Sequence, residues 1–81
     1  MTDQTIFDQL QQIFREVFEN PTMQLSPTAT AHEIENWDSM AHVGLIAAIE
    51  EHFGVDFDLD ELIEMNSVGA ILSALSAKIN R

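Results

Sequence analysis

Ser39 stands between Asp38 and Met40 in the run ENWDSMAHVGL, where a polar loop gives way to an apolar helix. A hydroxyl at such a hinge can do two things. Either it or Asp38 can accept a hydrogen bond from an orphan amide of the helix's first turn, worth about 1 kcal/mol. Alternatively it is presented for covalent modification, in a place where an added phosphate would meet the positive end of the helix. Asp38, Ser39 and His42 together include the residue types of a hydrolytic triad. No oxyanion donors and no orienting partner can be assigned to them, so no catalytic residue and no enzyme are expected.

The remaining candidates for chemistry are weaker. His32, His42 and His52 are too dispersed for a metal-ligand spacing and are read as surface histidines. Asp56-x-Asp58-x-Asp60 opens like a calcium loop, but Glu61 holds the position that needs glycine and Ser67 the one that needs a bidentate glutamate. No metal site is expected beyond loose attraction of divalent cations. There is no cysteine, hence no disulfide, no thiolate nucleophile and no sulfur ligand; thiol chemistry would have to be imported.

Four helical segments surround these residues. Over Asp3 to Glu19, Ile6, Leu10, Ile13, Phe14 and Val17 recur at helical spacing, widened by Phe7 and Phe18, and Asn20-Pro21 ends the pattern. An irregular segment of roughly residues 20–37 follows. Loops of that length in small domains are held to the core or serve a function, and Leu25, Ile34 and Trp37 are the expected anchors. A second helix spans Ser39 to Phe53, stops at Gly54 and buries Leu45, Ile46, Ile49 and Phe53. Its other face, with Met40, Ala41, Gly44, Ala47, Ala48 and Glu51, is unusually small and apolar. Gly44 costs about 1 kcal/mol inside a helix relative to alanine, which calls for a packing reason or a closely approaching partner. A short helix is expected over about Asp60 to Met65, with Leu59, Leu62 and Ile63 inward. The last helix is capped by Asn66 or Ser67 and carries Val68, Ile71, Leu72, Leu75 and Ile79. The expected fold class is an all-α four-helix bundle of three long helices and one short one, a single domain over 1–81.

Composition narrows the partners. Fourteen acidic residues against three basic ones give a formal net charge of −11, which repels nucleic acid and anionic membranes and favours proteins with Lys/Arg patches. The first residues lack a secretory signal pattern and no apolar run is long enough to span a bilayer, so a cytoplasmic monomer without membrane insertion is expected. With 46% hydrophobic residues the chain can nevertheless fold.

Asp38-Ser39-Met40, preceded by a long loop and followed by Val43, Leu45, Ile46, Ile49, Glu50, Glu51 and Phe53, resembles the phosphopantetheine attachment motif of acyl carrier proteins. The resemblance extends from the first helix through Leu25-Ser-Pro-Thr to Asn66-Ser-Val-Gly. It implies that Ser39 is esterified by 4'-phosphopantetheine from coenzyme A, in a reaction run by a separate phosphopantetheinyl transferase. Asp38 would help bind the transferase's magnesium and could also cap the helix. Acyl-loading and acyl-processing enzymes would be the further partners, and acyl chains could fold back among Val43, Ile46, Ile49, Leu62, Ile71 or Leu72.

Two departures bear on the pathway. Met40 replaces the commoner leucine of the motif, and Ala41 and Gly44 stand where housekeeping fatty acid carriers usually show acids; Glu50, Glu51 and Asp56 keep the distal part of the acidic handle. Together with Trp37, this resembles carriers of polyketide-type or mixed peptide-polyketide assembly, docking through Met40, Ala41 and Gly44. A housekeeping fatty acid carrier is the alternative of the same chemistry. An unmodified acidic interaction domain, with Asp38 and Ser39 only as caps, is the alternative of another class.

Overall fold

An amphipathic stripe becomes a helix only where its ends are satisfied, and each long helix here has a side chain at its start that does so. In the computed structural model, which describes residues 2–80, the order is α1 (Asp3–Val17), α2 (Ser39–Phe53), α3 (Leu59–Glu64) and α4 (Val68–Ile79). The two end positions of the expected 1–81 domain lie outside the described residues. Thr2 caps α1 by accepting from the Thr5 amide, Asp38 caps α2 and Ser67 caps α4 by accepting from Ala70. The expected all-α architecture of three long helices and one short one is what the chain adopts. Its only β pairing among the described residues is an isolated bridge between Thr30 and Ser67.

The core is built from the stripes in the expected register. Ile6, Leu10, Ile13 and Phe14 of α1 meet Leu45, Ile46 and Ile49 of α2 and Val68, Ile71 and Leu75 of α4. With each such side chain worth roughly 1.5–3 kcal/mol on burial, this cluster is the main source of stability.

Helix α1 ends two residues before the position expected from Asn20-Pro21. Glu19 takes a left-handed conformation (φ 52°), its amide donates to the Glu16 carbonyl and the Asn20 amide donates to Arg15. This is a Schellman ending with glutamate where glycine is usual. The left-handed turn, not the proline, stops the helix. Gly54 ends α2 in the same left-handed region (φ 67°), where glycine carries no steric penalty.

The segment 20–37 is irregular but not loose. Gln11 accepts from the Leu25 amide and the Arg15 guanidinium donates to the Met23 carbonyl, both at 2.7 Å. Leu25 and Trp37 are buried as expected, whereas Ile34 is half-buried and Ala29 is a fully engaged anchor that its size did not advertise. Reciprocal amide bonds from Ala31 to Asn66 and from Val68 to Ala29 clip the loop to the start of α4. Gly69 permits this approach, since a Cβ there would lie 3.3 Å from the Pro27 carbonyl oxygen.

Helix α3 has the six-residue length expected, shifted by one residue to begin at Leu59, and departs from expectation in which residues face inward, since six residues present no more than a narrow stripe. Leu62 and Met65, three residues apart, form that stripe, and Met65 is buried while Leu62 packs against the core. Leu59 and Ile63, expected inward, are 71% and 64% exposed. Lys78 of α4 holds the element from beside it, 3.2 Å from Glu61 and over the Phe57 ring.

Candidate functional site

Ser39 is delivered by three residues with fixed backbones. Asn36 is left-handed (φ 71°), a conformation asparagine tolerates better than most residues. Trp37 follows, its amide donating to Ile34 and its ring buried edge-on against Phe14 at 5.4 Å. The aromatic anchor reading of Trp37 is therefore met. Asp38 is extended, and its carboxylate accepts from the Ala41 amide at 2.8 Å. Of the two possible caps, Asp38 holds the bond. Ser39 becomes the first residue of α2, exposed, with its Oγ in no hydrogen bond among the described residues.

A cleft of about 260 Å³ opens beside Ser39, lined by Ala31, Trp37, Asp38, His42, Ile63 and Asn66. A separate hollow of about 320 Å³ lies under the loop among Phe18, Met23, Leu25 and Ile34, and includes neither Asp38 nor Ser39.

His42 corrects the reading of three surface histidines. His32 and His52 are exposed, but His42 is half-buried and bridges two elements. The Trp37 indole N–H donates to its Nδ1 at 2.9 Å, and its Nε2 lies 2.8 Å from the Leu62 carbonyl oxygen. Helical period alone places His42 on the flank of α2. What it meets there depends on where the loop and α3 fold, so only the spacing of Trp37 and His42 across a helix start hinted at the pair.

The remaining candidates differ in exposure. Met40 is 86% exposed, Val43 58%, and Gly44 is exposed with nothing within 4 Å of a built Cβ. Ala41 is half-buried. This chain therefore gives no packing reason for Gly44. Glu51 and Asp56 point to solvent, but Glu50 is half-buried and accepts from the Phe57 amide at 2.8 Å, tying the end of α2 to the approach to α3. Among the described residues no group of histidines and acids could hold a metal ion.

A family model described as the phosphopantetheine attachment site matches residues 8–75. The chain belongs to the acyl carrier protein family. Acyl carrier protein 3 from Ralstonia nicotianae is 24% identical over 79 residues, covering 98% of this chain and 91% of that protein. The solution NMR structure of a holo acyl carrier protein from Geobacter metallireducens superposes with a TM-score of 0.84 at 35% identity, over 93% of this chain and 86% of that one.

The protein is thus a carrier, not an enzyme, and its prosthetic group is covalent phosphopantetheine. Its family works with phosphopantetheinyl transferases and acyl-processing enzymes. The residues fit such a group: attachment needs an accessible hydroxyl with no internal partner, and the phosphate so placed would sit at a helix N-terminus, where unpaired amides and the helix dipole favour an anion. No helix among the described residues is long and apolar enough to cross a membrane.

Proposed function

We propose that Ser39 is the attachment point and that the chain serves a specialised biosynthetic pathway of polyketide-like or mixed type. The observation that carries the assignment is the division of labour at the start of α2: Asp38 takes the capping bond, which leaves the Ser39 hydroxyl exposed and free to react. When bound, the group supplies the thiol on which acyl units ride as thioesters, a function absent from a chain with no cysteine. Asp38 fixes the first turn, and its second carboxylate oxygen is available to the transferase's magnesium. Trp37 and Asn36 hold the approach so that Ser39 stands clear of the core.

The specialised reading rests on the exposed face of α2. Met40 and Gly44 lie open, with Ala41 beside them. A polyketide-type enzyme with a small apolar recess, rather than one with a basic patch alone, fits this surface. Glu51 and Asp56 are the free acids at its far end, and Glu50 contributes one uncommitted oxygen. The carrier acts as a cytoplasmic monomer in this reading.

Intact mass before and after incubation with coenzyme A, magnesium and a broad-specificity phosphopantetheinyl transferase tests the assignment. Wild type gains the mass of one phosphopantetheine and Ser39→Ala gains none. A gain by the variant would move the attachment elsewhere. For the pathway, fatty acid synthesis enzymes accepting this carrier as efficiently as their usual one would favour the housekeeping role.

A further inference from the structure

The geometry points to His42 as a positioning residue that couples the segment presenting Ser39 to α3 only while its imidazole is neutral. A tryptophan N–H can only donate, so the Nδ1 that receives it at 2.9 Å carries no proton. A backbone carbonyl can only accept, so the Nε2 that lies 2.8 Å from Leu62 carries one. Both contacts select the same neutral tautomer, with the proton on Nε2. The Leu62 carbonyl lies in the last turn of a six-residue helix, where carbonyls lack intrahelical partners; its other contact is a long 3.4 Å approach from the Met65 amide. His42 therefore satisfies an orphan group of α3 with one nitrogen and holds the loop with the other.

Proton uptake breaks the arrangement on one side only. The new Nδ1–H would face the indole N–H, two donors at hydrogen-bond distance, whereas the Nε2–H···O bond persists with added charge. Trp37 then loses its polar tether, and Trp37 is the residue next to Asp38 and a wall of the cleft beside Ser39.

The groups that line the cleft with His42 are mostly uncharged. From the loop come Ala31 and Trp37, and from α3 and its end Ile63 and Asn66, none of which titrates in this range. Asp38 is the one acid lining the cleft, and it is engaged with the Ala41 amide. Of the three α3 acids, Asp60 is exposed and does not line the cleft, and Glu61, paired with Lys78, borders with Glu64 a separate hollow against Met65 and Ala74. The inference rests on the Ser39 reading for its functional consequence but not for the switch itself.

The first arm of the test is therefore read on the unmodified apo chain. Nitrogen-15 NMR across about pH 8 to pH 5 follows the His42 ring nitrogens and the solvent-exchange protection of the Trp37 indole proton. Expected are the Nε2–H tautomer alone at the alkaline end and a fall in indole protection of about fivefold, the scale of one ordinary hydrogen bond, with the midpoint of the His42 ring. Mixed tautomers, or protection unchanged through that midpoint, overturn the proposal. His42→Gln, whose side-chain oxygen can accept from the indole without titrating, should show flat protection; the same pH dependence in that variant would also overturn it. If the variant does not fold, the wild-type curve decides.

The second arm takes the ratio of phosphopantetheine gain in wild type to that in His42→Gln over the same range, in which the transferase's own pH dependence cancels. The ratio should fall with the His42 midpoint, and a constant ratio rejects the positioning role. Should neither chain gain the group, the Ser39 assignment fails and the NMR arm still decides the switch.

Discussion

The Asp38 carboxylate accepts the Ala41 amide proton at 2.8 Å, and this bond separates the duties of two adjacent residues. Asp38 holds the helix and Ser39 is left for chemistry. Opposite consequences follow for substituting each. Asp38→Ala should cost about 1 kcal/mol, lowering the melting temperature by about 4–8 °C for a domain of this size. Ser39→Ala should stay within about 0.5 kcal/mol of wild type while losing all phosphopantetheine gain. Thermal denaturation and intact mass, run side by side, check both.

Trp37 joins packing to a polar tether, and the two can be separated. Trp37→Phe keeps an aromatic edge against Phe14 but removes the donor to His42, and should cost about 1 kcal/mol. Trp37→Ala removes the ring and should cost about 3–5 kcal/mol, a large share of the total for so small a domain. Urea denaturation followed by circular dichroism distinguishes the two, since both variants lack the fluorescent indole.

The glycines of α2 should respond in opposite directions. Gly44 lies within the helix with open space around a built Cβ, so Gly44→Ala should stabilise by about 0.5–1 kcal/mol. Gly54 is left-handed, and Gly54→Ala should destabilise by about 1 kcal/mol. If Gly44 is open because a partner approaches it closely, Gly44→Glu should leave the fold intact and weaken binding to the cognate enzyme. Unchanged affinity for every partner would reject the apolar docking face.

Charge should make stability depend on salt. The net charge is −11 and the radius of gyration is 11.5 Å. At about 0.01 M ionic strength the screening length is about 30 Å and spans the molecule, whereas at about 0.15 M it is about 8 Å and does not. The melting temperature should rise over this interval, as scanning calorimetry at fixed pH would show. A flat or falling trend would mean that the acids are arranged to avoid mutual repulsion.

The sequence by itself determined the helical class, the register of the core and the identity of the candidate hydroxyl. These rest on short-range rules: the 3.6-residue period places Leu45, Ile46 and Ile49 on one face whatever the tertiary fold, and a polar pair before an apolar run marks a helix start. Only the tertiary structure decided which of Asp38 and Ser39 caps α2, because both are competent and the choice depends on the direction from which the loop arrives. Likewise, Leu59 and Ile63 have the spacing of an inward stripe, yet a six-residue helix docks through Leu62 and Met65 and leaves them outside. His42 meets Trp37 and Leu62 only after the loop and α3 have folded onto α2. Periodicity specifies which face a residue occupies, but what that face touches is set by chain connections that no local pattern encodes.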